Sequence, residues 1–318
     1  MAPLKENNIA SKKTGLIVKF GLAIALALGT IWIAAELLDL KATLHTLTTL
    51  PTQTWVVLFC LGAASWLLRG LRTWIIFDHL TLTDGLGMSF LHNTANNLLP
   101  MRLGELALPI LARWLGRVDF SVGLTSLIWI RLLDLFSLMG IALAIISLRL
   151  LDFYALGLLG TLVFLTPLAL RWLVPKTQHI ALPARLHQAR AQLIFEAQNG
   201  SRLHRIWRLT VLAWLTKLLA MAILLGTLAD LPISAVMTTI LGAELSSVLP
   251  IHGIAGAGSY QAGGVIGASA SGLSPIQGLE LSIQLHLYTL SLTLIFAAVG
   301  VSLTQTLNRQ HRRVRRSD

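Results

Sequence analysis

The chain has 318 residues, of which 55% are hydrophobic and only 12% are charged, and its mean hydropathy is +0.72. Soluble domains carry about 25% charged residues, so this composition excludes an ordinary soluble protein and predicts an all-α, polytopic helical membrane protein. The net charge of +11 is typical of nucleic-acid binders, but here the basic residues collect between apolar runs, as in multi-pass membrane proteins. We therefore expect no nucleic-acid partner.

The first apolar run, residues 15–38, follows three lysines. Its length of roughly 20 residues suits a membrane span, and it ends near Glu36 without a clear small-residue cleavage site. This pattern predicts an uncleaved signal anchor rather than a removable signal peptide. The single cysteine, Cys60, excludes a disulfide within the chain.

Six apolar runs are long enough to cross a bilayer as helices. They lie near residues 16–38, 53–76, 121–148, 153–174, 209–229 and 279–304. The basic clusters between them all fall on one side if both termini are cytoplasmic, which predicts a multi-pass protein of the plasma membrane, the inner membrane in a bacterium. We expect one flippase-like domain, 1–318, with a basic cytoplasmic loop, 175–206, and a basic cytoplasmic tail, 305–318. The loop is expected to lie on anionic headgroups as a solvated connector, with a partner-binding helix as the alternative.

Two further apolar segments cannot be ordinary crossings. Segment 86–116 has cytoplasmic arginines on both sides, Arg72 and Arg113, and segment 233–275 must begin and end on the outer side. Each is interrupted near its middle by proline and polar residues, which break a helix and are costly in lipid. We predict two re-entrant hairpins that enter the membrane from opposite faces.

The interruptions of the two hairpins resemble each other. The first reads NNLLPMR from Asn96 and Asn97 to Arg102, and the second reads SSVLPIH from Ser246 to His252. Both run polar, polar, apolar, Leu, Pro, apolar, basic. Broken segments at matching places in two halves of opposite orientation are typical of inverted-repeat transporters, whose substrate site lies near the midplane.

The first hairpin carries residues suited to bind an anion. Pro100 removes a backbone donor, and Gly104 permits close backbone approach. Arg102 and Glu105 are three residues apart, so on a resumed helix they would share a face and pair. Arg102 is then expected to bind a phosphate, while Glu105 orients it or accepts a proton. The alternative is a neutralised pair whose long side chains reach the cytoplasmic interface.

Charges also occur inside the third span, where Arg131 and Asp134 lie three residues apart. An intramembrane charge costs roughly 2.5–3.5 kcal/mol on insertion scales, so we expect these two to pair, either as a substrate contact or as a purely structural pair. Among the isolated acids, Glu244 lies one turn before the second interruption and is a candidate for substrate binding. Glu36 and Glu280 are expected at the membrane interface.

The second hairpin contains six glycines within HGIAGAGSYQAGGVIG, too many for a plain helix. Gly263 and Gly267 form a small-xxx-small pair suited to close helix packing. Pro250, His252 and Gly253 are candidate substrate contacts. Histidine side chains ordinarily titrate near neutral pH, so His252 is a candidate for coupling movement to protons, with a hydrogen-bonded structural histidine as the alternative.

No catalytic set emerges along the sequence. Metal-ligand spacing, a nucleophile elbow and paired acids are missing, and no strand precedes GIAGAG, so it is not a nucleotide loop. We therefore expect a protein that is not an enzyme and that binds no cofactor or metal.

The hairpin motifs resemble those of a known family. NNLLPMRLGE, followed by ARWLGR and IRLLDL, is similar to the core of the lysylphosphatidylglycerol synthase transmembrane region family, the flippase-like integral membrane proteins. Its second signature, Pro-x-x-Gly and then Gly-x-x-Glu, is matched by Pro250 to Gly253 and by Gly258 to Gln261. Gln261 stands where the family usually has glutamate, which removes a charge. The resemblance runs from residue 15 to residue 305.

The resemblance implies a stand-alone member that moves phospholipid, hopanoid or polyprenyl lipids and lacks the aminoacyl-transferase domain. The hypothesis is a lipid translocase whose two breaks form a polar slot, with Arg102 on the headgroup phosphate. Expected partners are anionic phospholipid or polyprenyl-linked lipid, a lipid- or glycan-synthesis enzyme, and a second copy of the chain. The alternatives are a membrane-embedded transferase or hydrolase, with Glu105 or His252 as base, and an accessory scaffold for envelope lipid or glycan enzymes.

Overall fold

The computed structural model describes residue 21 and residues 24–317, apart from 116–117, 151–153, 181–186 and 248–252. These residues form helices joined by turns, which confirms the all-α, polytopic class. The α-helices are α1 (Ile24–Leu37), α2 (Leu40–Thr48), α3 (Thr52–Ile76), α4 (Leu82–Leu98), α5 (Ala107–Leu115), α6 (Phe120–Leu150), α7 (Tyr154–Lys176), α8 (His187–Gln198), α9 (Gly200–Leu228), α10 (Ile233–Ser246), α11 (Ser259–Ser269) and α12 (Pro275–Ser317). Short 3-10 segments occupy Pro100–Leu106, Thr177–His179 and Ile254–Gly256.

Four helices in the described part of the chain are long and apolar enough to cross a membrane. They are α3, α6 over Phe120–Ile145, α9, and α12 over Pro275–Gln305. The fourth predicted run, 153–174, coincides with α7, which is not among these four. The described part of the first predicted run is the shorter apolar helix α1. The protein is therefore multi-pass, and four of the six predicted spans coincide with membrane-length apolar helices among the described residues.

The predicted central loop, 175–206, is largely helical. It contains α8, and α9 begins inside it. Ala197, Leu203 and Ile206 are fully buried, so the C-terminal part of this segment is not a solvated connector. The apolar residues of the loop belong to a hydrophobic core, and the basic residues alone had suggested a surface segment. The tail also continues a helix, because α12 extends to Ser317.

The chain divides into two compact units, each built from separated stretches. Unit 1 comprises Met1–Thr52, Ala95–Gly104 and Ala222–Ser291. Unit 2 comprises Gln53–Thr94, Glu105–Met221 and Leu292–Asp318. Unit 1 therefore contains both the tip of the first hairpin and the whole of the second.

The core of unit 2 is apolar and aromatic. Trp129 and Leu133 of α6 are fully buried in it. Trp66 stacks on Phe296 at 4.9 Å between ring centroids, and Phe90 meets Phe296 edge-on at 5.0 Å. This packing fixes α3 and α6, the helices that carry the charged residues described below.

The first hairpin breaks at the predicted proline. α4 ends at Leu98, and within the following segment Met101 (φ 56°) and Arg102 (φ 57°) adopt the left-handed conformation. The expectation that Arg102 shares a regular helical face with Glu105 is therefore wrong. Gly104 lies against the backbone of Ala95, where any side chain would collide.

The second hairpin is a pair of closely packed helices. Glycines at the contact let the backbones of α10 and α11 touch: Gly263 lies against Gly242, and Gly267 lies against Thr238. This confirms the predicted packing of Gly263 and Gly267. Between the two helices, Ala255 has a left-handed φ of 56°.

Candidate functional site

Arg72 on α3 and Asp134 on α6 form an ion pair inside unit 2. Arg72 Nη1 donates to Asp134 Oδ1 at 2.7 Å, and Nη2 donates to Oδ2 at 3.4 Å, so two guanidinium nitrogens hold the carboxylate. Only 4% of Arg72 is exposed, and Asp134 is also buried. A buried charge is costly without a partner, so each residue keeps the other in place.

Helix α9 completes the environment of this pair. Thr210 accepts a hydrogen bond from Arg72 Nη1 at 3.0 Å, and its own hydroxyl donates to the Ile206 carbonyl at 2.9 Å. Trp214 Nε1 donates to Asp134 Oδ1 at 3.1 Å. The Arg69 guanidinium lies over the indole ring of Trp214, 4.9 Å from the ring centroid, which is a favourable cation–π distance.

Arg131 links the buried pair to the first hairpin. Its Nε lies 3.3 Å from Oε1 of Glu105, and its Nη1 lies 3.9 Å from Oδ2 of Asp134. The predicted pairing of Arg131 with Asp134 is thus present, at 3.9 Å. The closer partner of Asp134 is Arg72, which approaches from another helix and which the sequence did not predict.

Two arginine donors of the network lack an acceptor. Arg72 Nε and Arg131 Nη2 are buried without a hydrogen-bond partner among the described residues, while Arg131 Nε has the ion-pair contact with Glu105. Buried donors without acceptors are unfavourable, and 28% of the Arg131 side chain is exposed. The arrangement suits an additional anionic oxygen ligand at Arg131.

Unit 1 contains a second polar network, which is held by neutral hydrogen bonds. Gln261 accepts from the Gly258 backbone N–H at 2.9 Å and donates from Nε2 to His286 Nδ1 at 2.7 Å. His286 Nε2 lies 2.7 Å from the Ala255 carbonyl. Since a carbonyl can only accept, Nε2 carries the proton and Nδ1 is the acceptor, which defines a neutral imidazole.

Glu244 lies beside this second network. The hydroxyl of Tyr260 donates to Glu244 Oε1 at 3.2 Å, and both residues are buried. The ring of Tyr260 packs against the imidazole of His286 at 5.0 Å. Glu244 is thus held inside the second hairpin, next to the neutral network.

Comparison with protein families gives one match, to the lysylphosphatidylglycerol synthase TM region, over residues 20–297. The chain belongs to this family. The family is one of membrane domains with lipid-related function. Comparisons with curated proteins and with solved structures gave no match.

The family motifs are divided between the two units. Unit 1 contains Asn96, Asn97, Pro100, Arg102, Gly104, Glu244, Gly253 and Gln261, and unit 2 contains Glu105, Arg131 and Asp134. The candidates Pro250 and His252 lie outside the described residues. Gln261 suits its contacts, because an amide can both accept from Gly258 and donate to neutral His286, which a carboxylate cannot do.

Sequence reasoning missed several members of the networks, among them Arg72, Trp214 and Tyr260. Arg72 was assigned to the cytoplasmic end of a span, yet it is buried. The signal that could have found it is the carboxylate of Asp134, since an acid inside a span needs a cation. The two aromatic residues carried no comparable signal. Among the described residues, no group of three His, Cys, Asp or Glu side chains could hold a metal ion.

Proposed function

We propose that the protein is a lipid translocase that moves a phosphate-bearing lipid headgroup across the bilayer. The observation that carries this proposal is the pair of buried guanidinium nitrogens, Arg72 Nε and Arg131 Nη2, that have no hydrogen-bond partner in the described structure. A phosphodiester has one negative charge and several acceptor oxygens. It therefore matches the hydrogen-bonding needs of these nitrogens.

Arg131 is the residue proposed to contact the phosphate. The exposed part of the Arg131 side chain can be reached by a lipid phosphate. The carboxylate of Glu105, which pairs with Arg131, is a group that the phosphate can displace. The Arg72–Asp134 pair stays in place and holds α3 against α6. The acyl chains remain in the bilayer, so only the headgroup is transferred between environments.

The advantage of such a site is electrostatic. Moving a charged headgroup through hydrocarbon is slow because the charge loses its water. Fixed donors replace that water and lower the barrier. The sequence has no nucleotide loop, so the proposed movement is passive or coupled to an ion rather than to ATP, and the lipid is not chemically changed.

The proposed setting is the plasma membrane with both termini in the cytoplasm. The basic clusters between the apolar runs support this orientation through the positive-inside rule. The proposed substrates are anionic phospholipids and polyprenyl-linked lipids, which share a phosphate attached to a long apolar chain.

The test is headgroup accessibility in reconstituted vesicles containing a phospholipid with a fluorescent headgroup. A membrane-impermeant reductant quenches the fluorescent lipids of the outer leaflet at once. It quenches those of the inner leaflet only as they cross to the outer leaflet. We expect Arg131→Gln to slow crossing at least about tenfold, equivalent to about 1.4 kcal/mol in the barrier. The matched control is Arg205→Gln, which removes an exposed arginine of α9 and should leave the rate unchanged.

Equal rates in vesicles with wild-type protein, Arg131→Gln protein and no protein would reject the proposal. Arg102→Ala tests the hairpin tip in the same assay. Mass spectrometry of the lipids after incubation separates this function from a transferase or hydrolase, since an enzyme would leave a changed lipid.

A further inference from the structure

A second polar feature lies in unit 1, apart from the networks described above. It is a recess of about 150 Å³, large enough for a small ion with part of its hydration shell. Its walls are α2, the end of α9, and one face of α12 that carries Gln277, Glu280 and Gln284. Neither the proposed translocation nor the family motifs use these residues.

Gln284 supplies a buried acceptor to the recess. Only 3% of this residue is exposed. Its Nε2 donates to Thr46 Oγ1 at 3.4 Å, and the Thr46 hydroxyl proton is used on the Thr43 carbonyl at 2.8 Å. The amide therefore cannot be reversed, because Thr46 has no second proton to offer an oxygen. Gln284 Oε1 is left without a hydrogen-bond partner in the described structure.

Glu280 adds a negative charge one helical turn away. It is half-buried, and the described residues provide it with no ion pair or hydrogen bond. Helix α9 ends at Leu228 in the wall of the recess, and the carboxyl end of a helix carries partial negative charge. The lining residues include no lysine, arginine or histidine. All of these features favour a cation.

We infer that this recess binds a monovalent cation such as Na⁺ through the Glu280 carboxylate and Gln284 Oε1. Hard oxygen ligands are those that alkali and alkaline-earth ions prefer. The single carboxylate balances one positive charge, whereas protein sites for divalent ions generally gather more. The inference does not rest on lipid translocation, so either proposal can fail alone.

The test measures the thermal unfolding midpoint of the full-length protein in detergent as NaCl replaces N-methyl-D-glucamine chloride at constant ionic strength. We expect a saturable rise, about 3 °C at ten times the dissociation constant. Glu280→Gln and Gln284→Leu should abolish the rise. The matched control is Glu36→Gln, which removes an exposed glutamate of α1 in the same unit and should retain it.

A rise that persists in both recess variants would overturn the inference, as would the absence of any rise in the wild type. If a variant does not fold, binding of radioactive Na⁺ to the wild-type protein tests the inference instead. Saturable binding that excess unlabelled Na⁺ displaces and N-methyl-D-glucamine does not supports the site, and binding that never saturates refutes it.

Discussion

In the first hairpin the chain turns through Met101 and Arg102, two large residues with left-handed backbone. In the second, the described positive-φ residues between α10 and α11 are Ala255 and two glycines, and glycine contacts also join α10 to α11. A left-handed conformation costs a non-glycine residue roughly 1–2 kcal/mol, so neighbouring structure must hold the first break in place. The second hairpin is stabilised by its own backbone packing. We expect the first break to be the more readily deformed of the two.

The two hairpins also differ in the polar contacts that hold them. The arm that follows the first break begins near Glu105, which pairs with Arg131 in a network of full charges. The arm that follows the second break begins near Gln261, which bonds to a neutral His286. The first hairpin is thus held by ion pairs and the second by neutral hydrogen bonds. Substitutions of their polar residues should therefore change stability to different extents.

The largest expected effect is that of removing a charge from the first network. Asp134→Asn leaves Arg72 buried without a carboxylate, and we expect a loss of about 3–5 kcal/mol in the free energy of unfolding. Unfolding in mixed micelles with increasing denaturing detergent measures it. Asp230→Asn, at an exposed position, is the control. A loss below 1 kcal/mol would show that the charged network does not hold unit 2 together.

A smaller loss is expected from crowding the second hairpin. Gly267→Ala places a methyl group against the Thr238 carbonyl, and we expect a loss of about 1–3 kcal/mol because the two helices must separate. In α9, Gly226 has open space around it, so Gly226→Ala should be neutral or stabilising by up to about 1 kcal/mol. Thermal unfolding followed by tryptophan fluorescence compares the two variants. Equal midpoints would contradict the packing argument.

Restoring the family's acid should make the neutral network sensitive to pH. In Gln261→Glu, the new carboxylate can bond His286 Nδ1 only when the imidazole carries a second proton. That protonated pair forms at low pH and is lost as the pH rises, so the variant should lose stability as the pH rises above about 6.5, the ordinary pKa of histidine, by roughly 1–2 kcal/mol. The unfolding midpoint of the wild type over the same range is the reference. A variant that parallels the wild type would argue against the assigned tautomer.

The smallest expected effect is a gain in stability. Met101→Gly relieves the left-handed strain but adds freedom to the unfolded chain, so we expect a net stabilisation of about 0.5–1 kcal/mol. Leu99→Gly, just before the break and with ordinary backbone, should be destabilising. Chemical unfolding of the two variants measures the difference. A destabilised Met101→Gly protein would show that the methionine side chain matters more than its backbone.

The sequence could predict both helix breaks because their causes are local. Pro100 cannot continue a helix, and a glycine-rich stretch disfavours one. It could not predict the left-handed backbone of Met101, since that conformation usually signals Gly or Asn. The strain is imposed by the surrounding structure rather than by the residue itself.

The contacts of the candidate site could not be predicted, because they join residues that are far apart in the sequence. Asp134 and Arg131 were found from their local spacing, but the principal partner, Arg72, lies 62 residues earlier in the chain. The central loop was misjudged for a similar reason. Arg202 was taken as a surface charge, yet it is buried against Asp78 and Glu196, contacts that no periodicity reveals.

The separation between Arg72 and Asp134 has a consequence for how the protein is made. At a synthesis rate of about 5–20 residues per second, Arg72 emerges roughly 3–12 s before its carboxylate. During that interval α3 carries an unneutralised charge, whose insertion costs about 2.5–3.5 kcal/mol. We therefore expect α3 to reach its final stability in the membrane only after α6 has followed it.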